Sequence, residues 1–276
     1  MRVHHLDCGS LRMIAPVESG LPPARVVCHC LLIETDRNGL VLVDTGLGVE
    51  DMRSPRQRLG SDWVDFADPV LDADRTAVGQ IARLGFDADD VRHIVLTHLH
   101  RDHTGGLPDF PHATVHVHEA EYRAVSDPTA EHHHDSFDRF MAAHRAHGPD
   151  LAIARPHKGS WLGFEGIANL EGLPDDIVLI PLPGHTPGHS GVAVRQPNGW
   201  LLHAGDAYFY HGEVEADPPR PHPELQLIQD SAQVDQKQRL NSLHQLRELF
   251  RRHKDEVDIF CAHDPWEFQR ATLMDH

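Results

Sequence analysis

The chain alternates short apolar runs with polar turns, a pattern typical of strands and helices that pack in layers. Strands are predicted over the apolar or alternating segments 1–7, 24–35, 39–46, 93–98, 113–118, 175–184, 190–196, 200–209 and 257–264. Apolar residues at helical spacing predict helices over 72–84, 119–125 and 231–253. Because strands and helices mix without strict βαβ alternation, we expect two sheets between outer helices.

The organisation of the chain indicates a single domain over residues 1–276. No repeat, low-complexity tract or linker interrupts the sequence, and compact α/β domains reach this length. Residues 127–175 are polar, rich in Gly, Pro and His, and partly helical in pattern, so an insertion is predicted there. Within the helix predicted over 231–253, one apolar stripe is expected from Leu240, Leu243, Leu246 and Leu249.

Charge and cysteine content narrow the possible partners and the compartment. The formal net charge is −17, which disfavours nucleic acid and anionic membrane surfaces as partners. The sequence has neither an apolar run long enough to span a membrane nor an N-terminal export signal. Its four cysteines make a poor disulfide framework, and Cys28 and Cys30 are interpreted as small buried apolar residues of a strand. A cytoplasmic, reduced protein is predicted.

The candidate chemistry lies in polar residues that directly follow apolar strands. The stretch "LTHLHRDHTGGL" (96–107) holds four potential metal ligands within six positions. A hydrolytic zinc site usually takes three protein ligands, so four suggest either spares or a second metal. Similar strand-end positions are held by Asp44, His185, Asp206 and His263. Because strand ends gather functional groups on a rigid scaffold, the whole set predicts a metal site.

These motifs resemble the metallo-β-lactamase superfamily. "THLHRDH" matches its His-x-His-x-Asp-His signature, and "LVLVDTG", "PLPGHTPGHS", "LLHAGDA" and "CAHD" stand in the family's order. The resemblance covers nearly the whole chain and implies an αββα four-layer sandwich with two divalent metal ions. It assigns one metal to His98, His100 and His185, the other to Asp102, His103 and His263, and a bridging role to Asp206. Zinc suits these ligands, and iron, manganese or cobalt would also fit.

Several further aspartate and histidine residues have more than one possible role. Asp44 resembles the family carboxylate that orients a ligand histidine, although a plain turn role is nearly as good an explanation. His189 lies four residues after His185, and only the family pattern selects His185. The tract His132–His134 is interpreted as solvated surface, and His116 and His118 are interpreted as structural.

The spacing of 21 positions from His185 to Asp206 resembles that of the N-acyl homoserine lactonases. Those enzymes open the lactone ring of bacterial signalling molecules and so act in quorum quenching. These enzymes carry a tyrosine shortly after the bridging aspartate. In "GDAYFYHGE" the expected position, three after Asp206, is Phe209, and the tyrosines stand two and four after it. If residues 206–210 continue a strand, Tyr208 faces the metals with Asp206, so Tyr208 is predicted to contact the substrate. A partly buried structural aromatic is the alternative, for Tyr208 as for Tyr210.

The resemblance also implies a mechanism. A hydroxide bridging the metals attacks the ester carbonyl, the first metal and Tyr208 stabilise the oxyanion, and the second metal takes the leaving alkoxide. Asp102 orients the hydroxide and passes its proton to the leaving group. Trp63 and Phe66, within residues 60–71, are predicted to form an apolar lip for an acyl chain, with ordinary packing as the alternative.

The motifs are also compatible with several functions other than lactone hydrolysis. The same centre would serve a thioesterase of the glyoxalase II type, or an organophosphate or phosphodiester hydrolase. An iron-dependent oxidoreductase of the superfamily and a non-catalytic metal-binding protein are further alternatives. The predicted partner is a small ester or lactone, and the oligomeric state is left open, a homodimer being one option.

Overall fold

The structure is a computed structural model that describes residues 1–130 and 140–274. The strands within them are β1 Arg2–Asp7, β2 Met13–Ile14, β3 Ala24–Arg25, β4 His29–Glu34, β5 Leu40–Val43, β6 Val91–Val95, β7 Thr114–His118, β8 Asp150–Ala154, β9 Ser160–Trp161, β10 Phe164–Glu165, β11 Ala168–Asn169, β12 Ile177–Pro181, β13 Ser190–Gln196, β14 Gly199–His203 and β15 Val257–Phe260. The α-helices are α1 Val49–Arg53, α2 Pro55–Leu59, α3 Ser61–Ala67, α4 Ala77–Arg83, α5 Arg101–Thr104, α6 Glu119–Ser126, α7 Ala142–Arg145, α8 Pro223–Ala232, α9 Gln236–His253 and α10 Pro265–Met274.

Two mixed sheets form the centre of the fold. The first has the strand order β1-β4-β5-β6-β7-β8, with β5 to β8 mutually parallel. The second has the order β11-β12-β13-β14-β15, with β14 and β15 parallel and the other neighbours antiparallel. Two short hairpins, β2-β3 and β9-β10, lie outside these sheets.

Side-chain alternation along the strands explains the layers. In β4, Leu31 and Ile33 pack against the second sheet, in a core shared with Leu179 and Val192. Their neighbour Leu32 points the other way, into a core shared with α4. On the far side of the second sheet, the strands pack against α9. Because both faces of each sheet are buried, the layers stack as helix, sheet, sheet and helix, and the predicted αββα sandwich is confirmed.

The segment 127–175, predicted as a partly helical insertion, contains strands as well as a helix in its described residues. This segment includes the short helix α7, but it also supplies β8 to the edge of the first sheet and β11 to the edge of the second. The His132–His134 tract lies outside the described residues.

Two further expectations are wrong in detail. The strand predicted over 200–209 ends at His203. In α9, Leu246 is fully buried but Leu240 is 47% exposed. With 3.6 residues per turn, repeated steps of three residues drift around the helix, so Leu240 has turned away from the face that Leu246 buries.

Local sequence signals place several helix ends. The α4 helix begins after Thr76, whose side chain accepts a hydrogen bond from the backbone of Gly79, as expected of a threonine at an N-cap. The α9 helix begins after Asp235, which accepts one from Gln238. None of the helices in the described residues is long and apolar enough to cross a membrane.

Candidate metal centre

The candidate ligands meet because five strands end at the same edge of the sandwich. In the first sheet β5 and β6 run parallel, and in the second β12, β14 and β15 share one direction. Asp44 follows β5, and the loop 96–107 follows β6. His185, Asp206 and His263 follow β12, β14 and β15. The predicted ligands, distant in sequence, are therefore carried to one site by rigid strands.

The first group of ligands consists of three histidines and one carboxylate. One ligand atom from each of His98, His100, His185 and Asp206 lies within 4.8 Å of the others. The Oδ2 atom of Asp206 is 3.1 Å from Nε2 of His185 and 3.7 Å from Nε2 of His98. This is the donor set expected for one divalent metal ion.

The second group of ligands uses the other oxygen of the same carboxylate. Oδ1 of Asp206 is 3.3 Å from Nε2 of both His103 and His263. Oδ2 of Asp102 is 3.7 Å from Nε2 of His263. The two oxygens of Asp206 therefore face two different groups of ligands.

Cys28 also lies near the second group, since its sulfur clusters with the ligand atoms of Asp102 and His263. It is buried as predicted, and its thiol donates a hydrogen bond to the carbonyl oxygen of Gly9. Cys30, two residues on, lies in the core of the first sheet.

The polar atoms at the centre of the site fit a metal ion. Nε2 of His98, Nε2 of His103 and Oδ1 of Asp206 are buried and have no hydrogen-bond partner among the described residues. A buried polar atom without a hydrogen bond destabilises the folded protein unless an ion or a ligand binds it. Burial lowers the pKa of His98 well below its usual value, which leaves a neutral ring with a lone pair to donate. Burial alone would raise the pKa of Asp206, but the surrounding histidines hold it well below its usual range.

Residues behind the ligands fix the orientation of two of the rings. Nδ1 of His103 lies 2.7 Å from Oδ2 of Asp44, which also accepts a hydrogen bond from the Thr97 hydroxyl. Asp44 has a φ of 55°, a left-handed conformation that is uncommon outside glycine. Nδ1 of His263 donates to the carbonyl oxygen of Val27 at 2.8 Å. These contacts point Nε2 of both rings toward the centre.

His185 and His189 take different positions. His185 belongs to the first ligand group. His189 instead donates from Nδ1 to the Leu182 carbonyl at 2.7 Å and accepts the backbone N–H of Asp206 on Nε2 at 2.8 Å. Both nitrogens of His189 are thus used by the backbone, and it supports the loop that carries Asp206.

Two buried residues that no sequence motif indicates hold the ligand loops. Glu121 of α6 accepts hydrogen bonds from the Leu99 backbone, the Thr186 hydroxyl and the Gly188 backbone. It therefore joins the loop of His98 and His100 to the loop of His185. A glutamate in the first turn of a predicted helix gives no sequence signal for this role.

His144, in α7, is the second such residue. Its Nδ1 lies 3.0 Å from the hydroxyl of Thr104, and its Nε2 lies 3.2 Å from Oδ1 of Asp51 in α1. Thr104 directly follows His103 in α5, so this chain of contacts braces the helix that carries Asp102 and His103.

Tyr208 does not reach the site, and the prediction that it contacts the substrate is wrong. The prediction assumed that residues 206–210 continue as a strand. Instead β14 ends at His203, and Gly205, with a φ of 55°, begins a turn. Tyr208 is fully buried in the core of the second sheet, where its hydroxyl donates to Oε1 of Glu267 at 2.8 Å.

Phe209 occupies the metal face instead. Its ring centroid lies 4.9 Å from that of His263 and 6.0 Å from that of His185. Phe209 stands three residues after Asp206, the position at which the lactonase pattern places its tyrosine. That position was the signal that could have identified it.

A cavity of about 250 Å³ opens onto the ligand groups. Its apolar wall is formed by Leu11, Val26, Trp63, Phe66, Ala67, Phe209, Leu225 and Ile228. Asp102 also lines it, with its side chain 16% exposed. The predicted apolar lip therefore lies beside the ligands, with Trp63 and Phe66 on α3.

The chain is similar to known proteins over most of its length. The metallo-beta-lactamase superfamily model matches residues 23–252. A probable metallo-hydrolase of Mycobacterium tuberculosis is 38% identical over 98% of this chain and 83% of its own. The N-acyl homoserine lactonase AttM of Rhizobium radiobacter is 35% identical over 67% of each chain.

The fold is also found among solved structures. An N-acyl homoserine lactone hydrolase, solved with the product N-hexanoyl-L-homoserine at its catalytic metal centre, has a TM-score of 0.66 and 24% identity. The match covers 97% of this chain and 95% of that one. The family match, the fold and the grouped ligands lead to one conclusion: the chain belongs to the metallo-beta-lactamase superfamily and is a metal-dependent hydrolase of that family.

Proposed function

We propose that this protein opens the ring of a lactone, or cleaves a closely related carboxylic ester, at a centre of two zinc ions. The observation that carries the proposal is Asp206, whose two carboxylate oxygens face two separate groups of histidines at the floor of an apolar cavity. The similarity to N-acyl homoserine lactonases supports the choice of substrate. A neighbouring structure, the dizinc quorum-quenching lactonase AidC, supports the choice of metal, with a TM-score of 0.55 and 20% identity.

The seven proposed ligands would hold the ions at the floor of the cavity: His98, His100, Asp102, His103, His185, Asp206 and His263. When bound, the pair of ions supplies a nucleophile from water at neutral pH and polarises the carbonyl of the substrate. The chain's own contribution is to fix this geometry, with Asp44 and the Val27 carbonyl orienting two of the rings.

Asp102 is the proposed proton carrier. Its carboxylate lines the cavity and lies close to the second ligand group. It can therefore accept a proton from the attacking water and pass it to the leaving oxygen. The apolar wall, with Trp63 and Phe66, receives the acyl chain and excludes water from the reacting carbonyl.

Phe209 changes one part of the expected mechanism. Its ring lies against His185 and His263 but carries no hydroxyl. The residue at this position therefore shapes the pocket without donating a hydrogen bond to the reacting carbonyl.

A substrate panel on zinc-loaded protein tests the proposal. Elemental analysis should approach two zinc ions per chain, and lactones should be turned over faster than thioesters or phosphodiesters of similar size. A stoichiometry that stays at one under metal-replete conditions would contradict the bridging role of Asp206. If the thioester or the phosphodiester is turned over faster than the lactone, that compound class becomes the proposed substrate.

Replacing the proton carrier tests the mechanism. Asp102→Asn should lower kcat by well over an order of magnitude, because the carboxylate both ligates and handles protons. Asp109→Asn makes the same chemical change outside the cavity lining and should keep kcat within about twofold. If Asp102→Asn keeps both its activity and its metal, Asp102 is only a turn residue.

A further inference from the structure

The wall of the cavity carries two arginines, Arg12 and Arg101, beside its apolar residues. The guanidinium of Arg12 lies 5.3 Å above the ring centre of Phe66, and that of Arg101 lies 5.8 Å from the ring centre of Trp63. Nε of Arg12 is buried and has no hydrogen-bond partner in the part of the chain that the structure describes. A buried donor of this kind is costly unless a ligand binds it.

The backbone around Arg12 does not need this side chain. Its carbonyl oxygen accepts the N–H of Val26, which pairs the two segments without the guanidinium. Arg25, on the facing strand, shows the contrasting case, since its guanidinium donates to the Leu11 carbonyl and contacts Asp68. Among the described residues Arg12 makes no such ion pair, although the chain has 42 acidic residues.

With the proposed divalent ions bound, the charge of the cavity would be opposite to that of the chain. The chain has a net charge of −17, yet the only acids that line the cavity among the described residues are Asp102 and Asp206. Both are proposed metal ligands, so with two divalent ions bound their charge is more than neutralised. The guanidinium of Arg12 then leaves a local positive field inside an apolar wall, where electrostatic attraction is stronger than in water.

From this arrangement we infer that the substrate carries an anionic group, a carboxylate in the simplest case, which Arg12 binds. The inference rests on the proposed function, because it places an ester or lactone carbonyl at the metal centre. Arginine suits the role, since its fixed fork of donors matches a carboxylate. The rings of Phe66 and Trp63 hold the guanidinium groups in place, and the apolar wall takes the chain between the two ends of the substrate.

Two lactones of equal length test the inference, one ending in a carboxylate and the other in a carboxamide. The zinc-loaded protein should prefer the carboxylate by at least tenfold in kcat/KM. Arg12→Gln should remove most of this preference by raising KM for the carboxylate lactone, with kcat and the KM for the carboxamide little changed. Arg56→Gln is the matched control: Arg56 is exposed, pairs with Asp65 and does not line the cavity, and its replacement alters the net charge equally.

A binding measurement separates the inference from the proposed function. Calorimetry would follow a non-hydrolysable amide that carries the same carboxylate. If neither lactone is cleaved but the amide binds at least tenfold more weakly to Arg12→Gln, the lactonase proposal fails and the anion site stands. If both lactones are cleaved with equal efficiency and the amide binds both proteins equally, the lactonase proposal stands and the inference is overturned. A preference for the carboxylate that persists in Arg12→Gln also overturns the role of Arg12.

Discussion

His185 and His189 show how neighbouring histidines of one loop come to different roles. His185 faces the other ligands, whereas both nitrogens of His189 bond to the backbone. We expect His185→Ala to lose metal and activity. We expect His189→Ala to keep its metal but to lose about 1–3 kcal/mol of stability, because buried backbone groups lose their partners. Elemental analysis and thermal unfolding check both variants, and the reverse pattern would exchange the assignments.

Tyr208 is expected to act in stability alone. Tyr208→Phe removes a hydrogen bond to Glu267 in a fully buried position, which should cost about 1–3 kcal/mol of unfolding free energy. Because the hydroxyl lies away from the cavity, kcat on the preferred ester should stay within about twofold. Steady-state kinetics and denaturant unfolding of the same preparation measure both quantities. A large loss of kcat with unchanged stability would return Tyr208 to the active site.

For single residues, the sequence identified the proposed ligands better than it identified the residues that surround them. The order of the motifs along the chain selected the seven proposed ligands, and the structure brings all of them together, although their binding of metal stays a prediction. Strand alternation placed Tyr208 rather than Phe209 on the metal face, because it assumes that β14 continues past His203. The chain instead turns at Gly205, whose φ is 55°, while Ala204 bonds to Phe260 and Ala262 bonds to Gly205. Alternation along one strand cannot reveal such contacts.

The α6 helix is bonded to two of the ligand loops. Glu121 in its first turn bonds to both the loop of His98 and His100 and the loop of His185. Glu121→Gln replaces one accepting oxygen by an NH₂ group, so at least one of the three donors loses its acceptor. We expect metal affinity to fall about 10–100-fold, the usual effect of removing a residue that orients ligands.

Glu119→Gln in the same helix is the matched control. Glu119 is exposed and pairs only with Arg155 among the described residues, so this variant should keep the parent's metal affinity. Competition with a chelator measures the affinity of each variant. Equal affinities for the two variants would mean that α6 does not position the loops.

The elements predicted best were the strands with continuous apolar or alternating patterns. The strand predicted over 190–196 is observed as Ser190–Gln196. The strands within 127–175 were harder to predict. Because β8 and β11 are partly buried edge strands, their hydrophobic patterns are weak. His144 braces α5 through its contacts with Thr104 and Asp51. Neither residue is close to His144 in the sequence, so the sequence pattern could not predict this role.

The molecule as a whole keeps several buried histidines neutral, and His116 is one that lies outside the metal centre. Burial, followed by the charge of His93, lowers the pKa of His116 to about 4, opposed by Asp150. The unfolded chain, with a pKa near 6.5, binds more protons between pH 6.5 and 4. The contribution of His116 to the free energy of unfolding is therefore present at neutral pH, and it is lost as the pH falls from 6.5 to 4.

Replacing His116 tests this pH dependence. Between pH 7.5 and 4.5, metal-free His116→Gln should lose up to about 2 kcal/mol less stability than the parent protein. His112→Gln replaces an exposed histidine and should follow the parent. Urea unfolding at both pH values gives the comparison, and parallel curves for all three proteins would show that His116 does not carry the effect.

For the whole molecule, the fold followed from the sequence because the apolar strands, the helix faces and the family motifs agreed. The layered arrangement needs only the alternation of Leu31, Leu32 and Ile33 and its repetition in other strands. The cavity could not be predicted in the same way. Arg12, Phe66 and Leu225 come from three distant parts of the chain, and only the folded structure shows that they line one space.

The position of the Asp206 carboxylate between two ligand groups has a consequence for the order in which the protein would bind metal ions. Asp206 has a single negative charge, and in the proposed two-ion centre the first ion to bind would take most of its attraction. The second ion would then bind close to a like charge. Occupancy of the two proposed positions would therefore be linked, and the linkage would be reciprocal. We expect negative cooperativity, with two resolved steps in a zinc titration of the stripped protein, so that the half-filled form predominates when zinc is scarce.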